Sequence, residues 1–224
     1  QNCDSLYIQS LKIFDASNIK ESAVVIESCI TQCPAQTKYY MHAAKCYYQL
    51  KHYDKTLKNL QLALASDSMH VPAYALRAQI QMNAEMYSAA ITDYEKVLTL
   101  IPVADSTTSI YRVNLSKAYL NTNQYLKAYT ILKELYVADS QNLELLTNLS
   151  VCAMKLNNEM EAALYLQRIL AINPNYTAGL INFGFFMIEK QEYSKAIEYF
   201  NKALSMQPRE AYALNNRGYA YYKL

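Results

Sequence analysis

Asparagines stand at 114, 148, 182 and 216, each 34 residues after the one before. A side-chain amide carries both donors and an acceptor, so a row of them can pair with successive backbone groups of an extended peptide and read main chain rather than sequence. The same 34-residue interval carries Lys117, Val151, Phe185 and Tyr219, and Ile181 and Met154 stand close to the second and third asparagines. Apolar and aromatic side chains interleaved with amides select by shape, and aromatic anchors are frequent hot spots at protein interfaces. These residues offer recognition rather than bond making. Catalysis has little to rest on: His42, His52 and His70 are the only histidines, and no glycine-rich phosphate loop, HExxH or GxSxG occurs. Cys29 and Cys33 are spaced i, i+4, but no second Cys or His pair lies near enough to complete four ligands. No metal and no cofactor is expected. The five cysteines read as small buried thiols in a reducing compartment.

Something must hold these side chains in register. Pro34, Pro102, Pro174 and Pro208 are separated by 68, 72 and 34 residues, a lattice close to the same period. Proline breaks helices, so the four mark helix ends that recur, and a fixed period of this length signals a repeat array. Three glycines in 224 residues argue against an all-β chain, whose turns need many more. With 52% hydrophobic and 18% charged residues, the chain buries a core and is not disordered.

Aligned on the prolines, the chain divides into 3–36, 37–70, 71–104, 109–142, 143–176 and 177–210, with a half-repeat at 211–224. Position 8 of each is small (Ser10, Ala44, Ala78, Ser116, Ser150, Gly184, Gly218), and so is position 20 (Ser22, Thr56, Ala90, Ala128, Ala162, Ala196). Positions 4, 7, 8 and 11 share one face of a first helix, and 20, 24, 27 and 28 one face of a second. Small residues at 8 and 20 let the two helices approach closely, and larger residues around them fill the space.

The sixth unit, TAGLINFGFFMIEKQEYSKAIEYFNKALSMQPRE, closely resembles the tetratricopeptide repeat (TPR), a helix–turn–helix unit. The resemblance implies an all-α, right-handed α-solenoid of six full repeats plus the first helix of a seventh, forming a single superhelical domain over 1–224. It implies that first helices line a concave groove, where the asparagines resemble the ladders by which TPR and armadillo proteins hold extended segments. Lysine is absent from position 5, so the resemblance does not extend to the TPR domains that clamp a C-terminal carboxylate.

Departures from the pattern carry expectations of their own. Asp105-Ser106-Thr107-Thr108 is inserted between the third and fourth units, where it lengthens the loop or extends the following helix. Position 15, usually glycine in the family, is Asn123 and Asn157 in two units, and asparagine is the next-best residue for a left-handed cap. The last stretch, AYALNNRGYAYYKL, is a first helix without its partner, which suggests a fragment of a longer chain foremost, or else a disordered continuation or a partner chain that covers this end.

The expected function is a non-enzymatic interaction scaffold that binds a protein or extended peptide segment. The alternatives are a regulatory or targeting region of a larger enzyme, and a module that self-associates end-on through the half-repeat. A net charge of +2 with scattered basic residues argues against nucleic acid. The absence of any apolar run of ~20 residues argues against membrane insertion. Unpaired cysteines favour the cytoplasm, with a bacterial periplasm the alternative for a mature chain beginning at Gln1.

Overall fold

The computed structural model describes residues 2–34, 36–101 and 106–224, the side chains of Ser106 and Thr107 excepted. Gln1, Pro102 and Asp105, on which sequence expectations fall, lie outside the described residues. Among the described residues are thirteen α-helices and no strand. They fall into two compact units, Gln1–Tyr111 and Arg112–Leu224. The first holds α1 (Cys3–Asp15), α2 (Ile19–Gln32), α3 (Thr37–Gln49), α4 (Tyr53–Ser66), α5 (Val71–Asn83) and α6 (Tyr87–Leu100). Next comes α7 (Ser106–Asn121), and the second unit continues with α8 (Tyr125–Ala138), α9 (Leu143–Lys155), α10 (Glu159–Ile172), α11 (Thr177–Glu189), α12 (Tyr193–Met206) and α13 (Ala211–Lys223). Each even-numbered helix has 14 residues and each odd-numbered one 13, except α7 with 16. Ser106, Thr107 and Thr108 are therefore helical, so these inserted residues lengthen α7 rather than a loop.

Odd and even helices pack as antiparallel hairpins: α1 with α2, α3 with α4 and α5 with α6 in one unit, α9 with α10 and α11 with α12 in the other. The contact between partners is built on the small residues. Ser10, Ala44, Ala78, Ser116 and Ser150 on first helices, and Ser22, Thr56, Ala90, Ala128, Ala162 and Ala196 on second helices, are completely buried. At Gly184 the approach is close: a Cβ built there would stand 2.6 Å from the Phe200 ring. Ile26, Leu60, Tyr94, Leu132, Leu166 and Phe200 recur every 34 or 38 residues among the largest fully buried side chains. Each such burial contributes roughly 1.5–3 kcal/mol.

Every turn within a hairpin is made the same way. Its middle residue is left-handed in all six cases: Ser17, Lys51, Glu85, Asn123, Asn157 and Gln191, with φ between 57° and 63°. The next backbone N–H then reaches back to close the helix, as Met86 N does to Gln81 O at 2.8 Å and Glu192 N to Met187 O at 2.8 Å. The geometry that glycine serves in the family is imposed here on other residue types by the flanking helices.

The expectation of free thiols fails at one pair. Cys29, Cys46 and Cys152 are free and buried, but Cys3 and Cys33 form a disulfide. An antiparallel hairpin brings the first residue of α1 over the end of α2, with the two Cα atoms 6.4 Å apart although the cysteines are 30 residues apart in sequence. The cytoplasmic expectation stands on unpaired cysteines, so this bond withdraws its support. Beside it Asp4 accepts from Lys38 Nζ at 2.6 Å and Tyr39 Oη at 3.0 Å, tying α1 to α3.

His42 is buried against α1 and α2 rather than exposed on the first-helix face. Ser10 Oγ donates to Ser22 O and Ser22 Oγ to Ser10 O, both at 2.8 Å, so both hydroxyl protons are spent. With those protons engaged, His42 Nε2, 3.0 Å from Ser10 Oγ and 3.1 Å from Ser22 Oγ, is placed to donate to either hydroxyl oxygen. Burial holds its pKa below the ordinary value, with Lys45 adding to the effect and the Ser10 backbone contact and Asp15 opposing it.

Two outcomes follow for stability. Reduction, or Cys3→Ser, releases a loop closure and lowers stability in urea by about 2–4 kcal/mol. Because the folded pKa of His42 lies below the unfolded one, the unfolded chain takes the proton first. Its contribution is present above the unfolded pKa of about 6.5 and is lost as pH falls below it. The urea midpoint should drop between pH 7.5 and 5.5, where exposed carboxylates stay ionised, and His42→Gln should flatten that dependence.

Candidate functional site

All ten residues singled out for recognition lie in the second unit, on its odd-numbered helices: Asn114 and Lys117 on α7, Asn148, Val151 and Met154 on α9, Ile181, Asn182 and Phe185 on α11, and Asn216 and Tyr219 on α13. The first helices lie side by side, α9 against α11 and α11 against α13, while Lys117 Nζ reaches Glu144 Oε1 at 2.6 Å and links α7 to α9. Asn142 caps α9, its Oδ1 accepting from the backbone N–H of Glu144 and Leu145 at 3.1 Å. That cap fixes where the helix begins, and so which way Asn148 points.

The four ladder asparagines are each half-buried. Among the described residues none of their side-chain amides has a hydrogen-bond partner, which leaves their donors and acceptors unspent. They are not equivalent in surroundings. Asn182 and Asn216 line a cleft of about 590 Å³ between α11 and α13, with Ile181 and Phe185 on its apolar side and Asn215, Tyr212, Gln207 and Glu210 completing it. A second cleft of about 650 Å³ takes Phe185, Asn216 and Tyr219, together with Ile188, Leu214 and Tyr222. Met154 lines a third, of about 260 Å³, again with Phe185. Phe185 thus borders three adjoining clefts, and Asn114, Lys117, Asn148 and Val151 border none of them.

Electrostatics at this face is set by paired and stacked cations. Lys155 Nζ sits 5.5 Å above the Phe185 ring and Lys223 Nζ 5.5 Å above Tyr219. Lys117 is engaged by Glu144, and Lys190 by Glu159. Glu210 caps α13, accepting from Tyr212 N at 3.1 Å. Behind the face, Phe183 stacks on Tyr199 with ring centroids 4.4 Å apart, which holds α11 on α12.

The opposite, even-helix side carries a different cluster. Tyr129 donates to Glu161, and Lys133 Nζ donates to Glu161 Oε1 and Tyr165 Oη, both at 3.2 Å. The Tyr129 hydroxyl foremost, and Lys133 with it, holds the Glu161 carboxyl below its usual range. This network ties α8 to α10. Burial pushes the Cys152 thiol up to about 12, which leaves it inert as a nucleophile. Among the described residues no group of three or more His, Cys, Asp or Glu side chains is placed to hold a metal ion. Among them, too, no helix is long and apolar enough to cross a membrane.

Sequence reasoning missed Gln207 and Glu210 as cleft residues. They come from the linker between α12 and α13, and nothing in the repeat pattern marks a linker as part of the face. Tyr212 is legible from its place at position 2 of the last unit.

Comparison with known proteins agrees with the architecture. A family model described as "Tetratricopeptide repeat" matches residues 71–103, and one described as "TPR repeat" matches 187–224. Among solved structures, YrrB, described as a TPR protein with an unusual peptide-binding site, is 20% identical, with 86% of this chain and 97% of that one covered at a TM-score of 0.70. MamA is 18% identical over 78% of this chain and 93% of its own, with a TM-score of 0.64. PilW, described as a widely conserved type IV pilus biogenesis factor, is 15% identical over 96% of this chain and 98% of its own, also with a TM-score of 0.64. These likenesses concern the fold.

Proposed function

We propose that this tetratricopeptide repeat protein is a non-enzymatic scaffold that holds an extended segment of a partner protein on the first-helix face of its second unit. Its repeats run from 3–36 through 177–210, with a further first helix in 211–224. The observation that carries the reading is the unspent amide pair of Asn182 and Asn216 beside the apolar wall of Ile181 and Phe185. Amides of this kind supply donors and acceptors to a peptide backbone, while the wall and the Tyr219 ring take alternate side chains. The peptide-binding site named for YrrB is a property of that protein and supports the class of ligand only.

The grip is strongest from α11 to α13. Asn148 and Val151 extend the same row on α9, and Asn114 and Lys117 extend it on α7 with the lysine already engaged by Glu144. A second reading, end-on association of copies, is favoured by the exposure of Tyr221, Tyr222 and Leu224 at the end of the chain. It predicts a sedimentation coefficient that rises with concentration and stops rising in Tyr221→Ser/Leu224→Ser.

For the leading reading, peptides selected by display against the chain are the probe. Asn182→Ala with Asn216→Ala should weaken the best of them by about 1–3 kcal/mol, because backbone groups of the peptide lose their partners. Lys117→Ala should leave it nearly unchanged. Calorimetry that found the double variant equal to the parent, with an unaltered helical spectrum, would remove the amide row from the account.

A further inference from the structure

We propose that Asn175 is an acceptor for N-linked glycosylation, taking an oligosaccharide on its side-chain nitrogen. Three Asn-x-Ser/Thr triplets without proline in the middle occur in the chain: Asn114-Leu115-Ser116, Asn148-Leu149-Ser150 and Asn175-Tyr176-Thr177. Such a triplet is the acceptor signature, and it belongs in a surface loop because the sugar is bulky and solvated. The structure separates the third triplet from the other two.

A transferase has to reach the amide and the hydroxyl two residues later from one side. On a helix, residues i and i+2 do not face each other. Asn114 with Ser116 lies inside α7, and Asn148 with Ser150 inside α9. Both serines are completely buried, and their hydroxyls donate to Val113 O and Thr147 O at 2.7 Å. Those hydroxyls are out of reach of a second protein, so the fold rejects both triplets.

Asn175 lies in the link between α10 and α11 and is exposed. Its backbone N–H donates to Asn173 Oδ1 at 3.0 Å, and Tyr176 N donates to Asn173 O at 3.1 Å. The turn thus closes on Asn173 and is built without the Asn175 side chain. Tyr176 is extended, with φ −70° and ψ 104°, and extended backbone puts residues i and i+2 on the same side. Thr177 is half-buried at the start of α11. Among the described residues neither the Asn175 amide nor the Thr177 hydroxyl has a hydrogen-bond partner, so both are free to engage a transferase.

The cysteines supply a second, independent observation. Acceptor triplets are used in secreted proteins, the setting in which disulfides also persist. Cys3 and Cys33 are bonded, and the remaining thiols, Cys29, Cys46 and Cys152, are buried. Burial holds all three above the usual thiol range, which keeps them unreactive in an oxidising compartment.

The donor is an oligosaccharide carried on a polyisoprenoid pyrophosphate. Asn175 Nδ2 bonds to the anomeric carbon of its first sugar, the bond from that carbon to the pyrophosphate oxygen breaks, and the lipid pyrophosphate leaves with the electron pair. The amide nitrogen gives one proton to a base of the transferase, and nothing is oxidised or reduced. No residue of the asparagine ladder takes part, so this site stands or falls apart from the peptide-gripping face.

The test reads the full chain isolated from its own cells. Peptide-N-glycosidase turns each glycosylated asparagine into aspartate, and mass spectrometry of the peptides locates the change against an untreated sample. Conversion at position 175 in most copies, with positions 114 and 148 unconverted, is the expected result. An unconverted position 175 overturns the proposal, and so does conversion at 114 or 148 in the folded chain. In the chain secreted from insect cells, Thr177→Ser should keep the sugar, whereas Asn175→Gln and Thr177→Val should lose it. Sugar retained in Asn175→Gln also overturns the proposal. The measurement on the natural chain needs no variant, so it decides the matter even where a variant fails to fold.

Discussion

The close contact between the two helices of each hairpin is what the rest of the molecule depends on. It needs a small residue at the crossing on both helices, a large buried side chain beside it, and a left-handed residue in the three-residue turn. Gly184 against Phe200 and the turn at Gln191 show all three in one hairpin. Burial of the second-helix residue at this contact separates the surfaces of each first helix. One face is consumed by packing, and another is left for neighbours and ligands. The recognition residues are those left over once this contact has been satisfied.

That dependence explains which features are legible in the chain itself. Helix pairs, the small-residue crossings and the common face of Asn114, Asn148, Asn182 and Asn216 all follow from local periodicity, so they can be read directly. The left-handed turns at Asn123 and Asn157 are legible because asparagine tolerates them, whereas Ser17, Lys51, Glu85 and Gln191 give no signal and adopt the same φ through helix pairing. The Cys3–Cys33 bond is not legible, because its partners meet only when the hairpin closes. His42 shares its repeat position with the asparagines but is drawn inward by Ser10 and Ser22. Repeat position alone does not decide which way a side chain serves.

The ladder is regular in sequence and irregular in surroundings. Clefts gather around Phe185 between α9 and α13, where amides meet aromatic rings. At the α7 end a lysine is neutralised by Glu144 instead. Even-numbered helices also expose apolar side chains, among them Leu126, Val137, Met160 and Leu164. Those residues border none of the clefts that Phe185 lines, which distinguishes them from the odd-helix face.

These two surfaces give the central claim its most direct measurement. A display-selected peptide carrying a benzophenone is photo-cross-linked to the chain, and the attachment points are read by mass spectrometry. Attachment at Ile181, Phe185 and Tyr219 is the predicted result. Attachment at Val137, Met160 or Leu164, with the odd-helix face unmodified, would contradict it.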